Sequence, residues 1–319
     1  MKISVALASK NGEKYIKEQL ESFNNQTVLP DELIISDDCS TDKTIELINQ
    51  FMNKEAKFPV KIFQNSTTLG VSKNFENALM KCSGDIIFIS DQDDRWFESK
   101  IFEVTKLFQE NQSIKTIINN QLITNEDLSQ VYGSKIGNLN KLFLNVEKNF
   151  CTGSCTAITK DWLEFCMPFQ DQYDIWINRL SHAYGVRMIL NKPLQFFRRH
   201  SSNASDWLVS SPKKISILDN FSLITNTSIS ETLKKELVLM EKILSKFSQI
   251  PQPAISGYIE NIKSDHLFLL SYTQDRLDLL NSNYLKRLYK IYLFAFKKKY
   301  YSTLGWKSFV ADLIFRNNN

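Results

Sequence analysis

The stretch Gly84-Asp85-Ile86-Ile87-Phe88-Ile89-Ser90-Asp91-Gln92-Asp93-Asp94-Arg95-Trp96 packs three carboxylates, Asp91, Asp93 and Asp94, into four residues directly behind an apolar run. Like charges that close repel and raise each other's pKa unless a cation neutralises them. Hard carboxylate oxygens suit Mg2+ or Mn2+, ions usually held by one or two carboxylates plus the phosphates of a substrate. A second acidic pair, Asp37-Asp38, follows the apolar Leu33-Ile34-Ile35. The plain alternative for either cluster is a solvated turn whose acids cap the next helix.

Both clusters need an element to hold them at one edge. Ile86–Ile89 is apolar throughout, as a strand buried on both faces of a parallel sheet would be, and Asp is a poor strand former, so the strand stops at its acids. Ile3–Leu7, Leu33–Ile35 and Val60–Phe63 read as further strands. Between them, Ile16, Leu20 and Phe23 fall at i, i+4 and i+7, Ile45, Ile48 and Phe51 mark a helix entered through the capping types Ser40, Thr41 and Asp42, and residues 72–81 form another helix. Strand–helix alternation with short connections predicts a doubly wound, mostly parallel α/β sheet, whose carboxyl-end edge is where ligands sit. Further on, the pattern predicts a helix through Val104 and Leu107, strands at 116–119 and 154–159, a polar irregular insertion over 121–150, and a helix from Asp174 to Tyr184 closed by Gly185. Two strands, 187–190 and 194–198, follow at the far side of the sheet. From about Asp206 the pattern is helical: Ser228-Ile229-Ser230-Glu231 is a capping box leading a helix with Leu233, Leu237, Met240 and Leu244 on one face, and two more helices cover about 255–270 and 284–300. The expected division is 1–205 for the sheet domain and 206–319 for a C-terminal helical appendage.

At 319 residues and 43% hydrophobic the chain can bury a full core. No run reaches the ~18 apolar residues of a spanning helix, and Met1-Lys2 leads straight into a strand with no leader pattern. Five cysteines at irregular spacing favour reduced thiols and a cytoplasmic protein, and Cys151 and Cys155 lack the second ligand pair of a zinc site. The net charge of +4 is unevenly placed: from residue 283 to the end eight Lys and Arg oppose one Asp, so that segment carries +7 and the rest −3. The lysine-rich and tyrosine-rich sides of 284–300, followed by Trp306, Phe309 and Phe315, suit a helix lying on an anionic membrane surface, with packing on the sheet domain as the alternative. No nucleic-acid recognition motif accompanies the basic residues.

Four ordered motifs stand along the first half: Asn11-Gly12-Glu13-Lys14-Tyr15-Ile16-Lys17-Glu18-Gln19-Leu20-Glu21-Ser22, then Asp37-Asp38-Cys39-Ser40-Thr41-Asp42-Lys43-Thr44, then Asn65 with Gly70-Val71-Ser72-Lys73-Asn74-Phe75, then Ser90 to Trp96. Gly153, Asp174-Ile175-Trp176 and Phe197-Arg198-Arg199-His200 with Asn203 follow. Over about residues 1–205 this set resembles family-2 glycosyltransferases of the GT-A fold, most of all their rhamnosyltransferase-like members. Relatives often have Gly at the position of Cys39, Tyr at that of Lys10 and His at that of Tyr173.

The resemblance implies a nucleotide-sugar donor, dTDP-rhamnose or a UDP-hexose, a saccharide or lipid-linked saccharide acceptor, and Mn2+ or Mg2+. It implies Asp93, Asp94 and His200 at the metal. It implies Asp38 at the pyrimidine N–H, with the backbone of Ala8 beside the base, Ser9 and Asn11 in the same loop, Lys73 near the base or phosphates, and Asp91 at the ribose. Gly153 and Trp176 would face the acceptor. Asp174 is the candidate general base, a role worth roughly 10²–10⁴ in rate, and attack opposite the leaving group would invert the anomeric carbon. Asp174, at a helix start, is otherwise a cap, and Trp96, Trp176 and Trp207 are core residues by default. Two rival functions are a nucleotidyltransferase on a similar sheet and a non-catalytic nucleotide-sugar-binding scaffold at the membrane. The expected location is the cytoplasmic face of a membrane, as a peripheral protein.

Overall fold

The computed structural model describes residues 1–203 apart from Phe143, then Ser210, residues 229–247, Ser271 and Gln274. The chain divides into two units, Met1–Ile217 and Leu218–Asn319. The first opens with β1 (Ile3–Ser9), α1 (Ile16–Asn24), β2 (Glu32–Asp37), α2 (Thr44–Lys54), β3 (Val60–Gln64), α3 (Val71–Lys81) and β4 (Ile86–Ser90). Every residue of β1, β2 and β4 is buried, which is why these strands read as continuous rather than alternating apolar runs. Ile16, Leu20 and Phe23 of α1 and Ile48 and Phe51 of α2 pack into the same core as Leu7, Leu33, Ile35 and Phe88. Helix α2 starts one turn past the expected caps. Its entry is held by the Asp42 carboxylate, which accepts from the Thr44 amide at 3.0 Å, and by Glu13 accepting from the Lys43 amide at 2.9 Å.

The second half adds β5 (Arg95–Trp96), α4 (Lys100–Glu110), β6 (Thr116–Thr124), β7 (Val131–Ser134), α5 (Lys135–Lys141), α6 (Val146–Asn149), a 3₁₀ turn at Gly153–Cys155, β8 (Thr156–Thr159), α7 (Lys160–Cys166), α8 (Tyr173–Ala183) and β9 (Arg187–Arg198). The sheet order is β3-β2-β1-β4-β8-β6-β9-β5, with β7 beside β6. From β3 to β4 all pairings are parallel, as βα alternation requires. Beyond β4 the sheet is mixed: β8 runs antiparallel to both β4 and β6, while β6 and β9 are parallel.

Two expectations change here. The insertion over 121–150 is largely ordered, because β6 continues to Thr124 by pairing Leu122, Ile123 and Thr124 with Phe196, Phe197 and Arg198. Those partners lie more than seventy positions away and leave no local signal. The two strands expected at 187–190 and 194–198 are one strand. Pro193 between them lacks an amide donor, and register shifts around Asn120, the residue opposite it, let the ladder pass. Gly185 does close α8, with φ +66 and its amide donating to the His182 carbonyl at 3.0 Å.

In the second unit the described residues include α9 (Ile229–Phe247), which buries Leu239, Met240 and Ile243. Its buried stripe is therefore offset from the expected one, since Leu237 and Leu244 are only half-buried. The cap at Ser228, the helices expected at 255–270 and 284–300 and the basic tail lie outside the described residues. Among the described residues no helix is long and apolar enough to cross a membrane.

At the amino edge of the sheet, Glu32 is 4% exposed and accepts from the Ser4 hydroxyl at 2.7 Å and the Ser83 amide at 2.6 Å. Burial opposes its ionisation, but these donors outweigh it and hold its carboxyl below the usual range. Such a group stabilises the fold above the unfolded carboxylate pKa of about 4.3, and the stabilisation is lost as pH falls through the lower folded value. Glu32→Ala is thus expected to lower stability by about 1–3 kcal/mol at pH 7. Thermal melts should show the gap to the parent protein narrowing below about pH 4.

Candidate active site

Strand β1 lies between β2 and β4, and the winding direction of the chain reverses between β1 and β4. At such a switch point the loops leaving the carboxyl ends of two strands part and open a crevice. The crevice here is a cavity of about 370 Å³ lined by Ala8, Ser9 and Lys10 after β1, Asp38 after β2, Gly70, Val71, Asn74 and Phe75 around the start of α3, Asp91, Gln92 and Asp93 after β4, and Phe197, Ser202 and Asn203. Its two main loops are tied together by one side chain. The Gln92 amide accepts from the Lys10 N–H and donates to the Lys10 carbonyl, each at 2.9 Å. Gly12 makes room for it, since a Cβ there would stand 2.2 Å from Gln92 Oε1.

Asp37 and Asp38 do different work. Asp37, fully buried, accepts from the Ser9 hydroxyl at 2.8 Å and the Ser40 amide at 2.9 Å, fixing the loop. Asp38 lines the cavity and accepts from the amides of Leu69 at 2.6 Å and Gly70 at 3.1 Å and from Asn65 Nδ2 at 3.1 Å, with Lys10 Nζ 3.6 Å away. Burial would raise its pKa, but those donors and the lysine together lower it. Cys39 sits at φ +61, a backbone region that favours Gly.

Asp93 faces His200, with Oδ2 and Nε2 2.9 Å apart, and Asn203 Nδ2 lies 3.0 Å from the same ring nitrogen. The His200 ring stacks on Tyr15 at 4.6 Å. Asp94 is elsewhere. It has no exposed surface and lines neither cavity, so the expected metal-ligand role is corrected. Its Oδ2 accepts from Gln195 Nε2 at 2.6 Å, and burial followed by the charge of Asp93 pushes its carboxyl up to about 7.

A second cavity, about 690 Å³, shares Asp91, Val71 and Phe197 with the first and is walled by Lys135, Thr152, Gly153, Tyr173, Asp174 and Arg179 among others. Asp91 therefore stands where the two meet. Burial and the neighbouring carboxylates Asp94, Asp93 and Asp174 raise its pKa well above the ordinary value. Asp174 lies in the first turn of α8 and accepts from the Ile175 amide at 2.8 Å, so it is part of the helix start as well as the cavity wall. Burial raises its pKa too, against the pull of the Ile175 amide and of Lys135. Lys135, 6% exposed, donates to the Cys151 carbonyl at 3.0 Å, and its own pKa is lowered by burial.

Besides Asp94 and His200, three more expected residues do not line the cavities. Trp176 is fully buried and donates through Nε1 to the Cys166 carbonyl at 2.7 Å, so its ring has no face for a sugar. Lys73 is exposed and pairs with Glu76 one turn on, at 2.6 Å. Asn11 turns toward the loop after β2, where its Oδ1 accepts from the Thr41 amide at 2.9 Å. Sequence reasoning passed over Gln92, Lys135 and the contact of Tyr173 with Gly153. Gln92 lies inside the quoted acidic motif, and the other two carry no local signal.

The fold and the joined cavities define an α/β protein of the GT-A type. The structure superposes on Staphylococcus aureus TarS residues 1–349 in complex with UDP-GlcNAc with a TM-score of 0.54 at 18% identity, covering 94% of this chain and 92% of that one. It superposes on the mannosyltransferase PcManGT of Pyrobaculum calidifontis, in complex with GDP-Man and Mn2+, at 0.50 and 12% identity over 98% and 85%. Residues 4–166 match glycosyl transferase family 2, and the chain belongs to that family. It is 38% identical over 96 residues to abequosyltransferase RfbV of Salmonella typhimurium, 30% of this chain and 28% of the relative. It is 33% identical over 114 residues to a glycosyltransferase of Haemophilus influenzae, 36% and 45%. The chain thus spans less than half the length of these relatives.

Gln92→Leu removes both hydrogen bonds to the Lys10 backbone while keeping the side-chain volume. The Lys10 amide is expected to exchange with solvent about fivefold faster, with far-ultraviolet dichroism unchanged, since one lost net hydrogen bond is worth about 1 kcal/mol of local opening.

Proposed function

We propose that the protein is an inverting, metal-dependent glycosyltransferase that moves a sugar from a nucleotide-sugar donor, dTDP-rhamnose or a UDP-hexose, to a saccharide acceptor. The observation that carries this reading is the pair of cavities meeting at Asp91, one lined by strand-end loops and the other holding Asp174. Membership in the family and the nucleotide-sugar complexes of its structural neighbours support it. The acceptor is taken to be a lipid-linked saccharide of the cell surface, in keeping with relatives such as the teichuronic acid biosynthesis glycosyltransferase TuaG.

In this reading the nucleoside lies in the smaller cavity. Asp38 accepts from the base N–H and the Ala8 backbone faces the base, with Ser9 and Lys10 alongside. Asp91 serves the ribose and the boundary with the sugar. Asp93 and His200 offer a hard oxygen and an imidazole nitrogen side by side, which fits an ion completed by diphosphate oxygens and water; among the described residues no third acidic, His or Cys ligand joins them. When bound there, Mn2+ or Mg2+ supplies positive charge to the departing diphosphate.

Asp174 removes the proton from the acceptor hydroxyl as that oxygen attacks the anomeric carbon on the face opposite the diphosphate, so the configuration inverts. A carboxylate whose pKa is raised by burial is a better base at neutral pH than a solvated one, provided it is ionised. Activity should therefore fall on the acid side as Asp174 takes up its proton.

Asp93→Ala is expected to abolish transfer and the Mn2+ dependence of UDP binding in calorimetry; an unchanged Mn2+ response would sink the metal assignment. Asp174→Asn is expected to leave UDP affinity within about twofold while lowering kcat by roughly 10²–10⁴, as for a group acting only in the transition state. Near-normal turnover would return Asp174 to the status of a helix start.

The location at a membrane surface rests on the composition of 283–319 alone, with each Lys or Arg near an anionic surface contributing about 1 kcal/mol. The full chain is expected to sediment with anionic liposomes at low salt and to be released by about 0.5 M salt, where the Debye length is only a few ångströms. Equal recovery with neutral liposomes would remove the electrostatic part of this reading.

A further inference from the structure

Tyr173 is a phenol almost wholly inside the protein, at 6% exposure. Its ring stacks on Phe75 with centroids 4.3 Å apart, and Phe75 is a wall of the smaller cavity. Its hydroxyl lies against Gly153, where a Cβ would stand only 1.9 Å from the oxygen, so the absence of a side chain at 153 is what admits the hydroxyl. Tyr173, Gly153, Asp91 and Asp174 all line the larger cavity. The hydroxyl has no hydrogen-bond partner among the described residues. The residue lines the larger cavity, so a ligand atom there can complete the hydroxyl's hydrogen bonding. Burial, then the charges of Asp91 and Asp174, raises the phenol's pKa well above its usual value, so the group stays a donor across the neutral range.

We propose that the Tyr173 hydroxyl donates a hydrogen bond to a hydroxyl or ring oxygen of the transferred sugar of the donor, making Tyr173 a residue that selects that sugar. The inference rests on the nucleotide-sugar reading above. The donor sugar, rather than the acceptor, is the partner because the ring is anchored on Phe75 of the nucleotide cavity and Tyr173 lines the larger cavity that Asp91 joins to it. An unmet hydrogen bond in a closed site discriminates more strongly than a missing methylene does, since the buried partner is left unpaired. A His at this position would bring a group that titrates near neutral pH. The phenol does not.

The test is calorimetry on the full chain with Mn2+, comparing the parent protein with Tyr173→Phe, which keeps the ring stack and deletes only the oxygen. The probes are UDP, UDP-glucose, UDP-GlcNAc, dTDP and dTDP-rhamnose. For the sugar nucleotide that the parent binds best, Tyr173→Phe is expected to raise Kd roughly three- to tenfold. The Kd for the matching nucleoside diphosphate should stay within about twofold. Gly153→Ala, which crowds the same hydroxyl, is expected to reproduce that split. Equal affinities for both ligand types in the variant and the parent, or an equal loss for both, would overturn the assignment and leave Tyr173 a packing residue. Binding of UDP or dTDP with none of their sugars in the parent would overturn it as well. If the parent bound neither nucleoside diphosphate, the donor reading itself would fall, a result distinct from the other three.

Discussion

Backbone pairing of β1 with β4, in register from Ile3 opposite Ile86 to Leu7 opposite Ser90, brings two segments distant in sequence out of the sheet side by side. Everything chemical in the molecule hangs from that pairing. It delivers Ser9 and Lys10 against Asp91, Gln92 and Asp93, at the point where the strand order reverses and the crevice opens. The Gln92 amide then locks the loops at a spacing the strands have already set. A shift of one residue would turn every side chain of these strands to the other face, and full burial of both faces makes such a shift expensive.

The same edge concentrates like charge, and the interior answers it. Behind the acidic loop, Gln195 donates to Asp94 at 2.6 Å and accepts from the Lys100 ammonium, which also donates to the Ser154 carbonyl at 2.9 Å and lies 3.8 Å from the centroid of the Trp96 ring. Desolvation pushes Asp94 up to about 7 and Lys100 down to about 8. Burying both groups opposes folding, and one oxygen of Asp94 has no hydrogen-bond partner among the described residues. What the arrangement provides is position: a neutral amide between two ionisable groups fixes the loop from β4 to β5 against β9. Asp93, one residue earlier, inherits that rigidity.

A second tether comes from β9. Arg198, 3% exposed, donates to the Asp93 carbonyl at 3.1 Å and to Glu18 at 2.7 Å, and its guanidinium lies 4.9 Å from the centroid of the Tyr15 ring. Tyr15 in turn donates to Glu126 at 2.6 Å and carries the stacked His200 ring. His200 meets Asp93 because three elements, α1, the loop after β6 and the end of β9, converge on one tyrosine. Side chains held this way by packing and by outer hydrogen bonds are oriented before any ligand arrives.

What the sequence determined by itself was the periodic and the local. Apolar runs ending in Asp91 or Asp37 identify buried parallel strands with acids at one edge, because a strand covered on both faces has no polar position until it stops. Helical spacing identified α1 and α2, and Gly185 the end of α8, for equally local reasons. The tertiary structure decided what depends on distant partners. The extension of β6 to Thr124 needs Phe196 to Arg198 beside it, and continuity of β9 through Pro193 needs the irregular register opposite Asn120. Within the site, Asp93 and Asp94 are adjacent carboxylates that no rule of composition or spacing separates. One faces the cleft and His200 while the other is sealed against Gln195, because the loop between β4 and β5 is held by partners from β9 and the residues after it, which no local rule announces. Trp176 and Asp174 part in the same way: two positions on a helix are about 200° apart, so when Asp174 reaches the cavity Trp176 must enter the core.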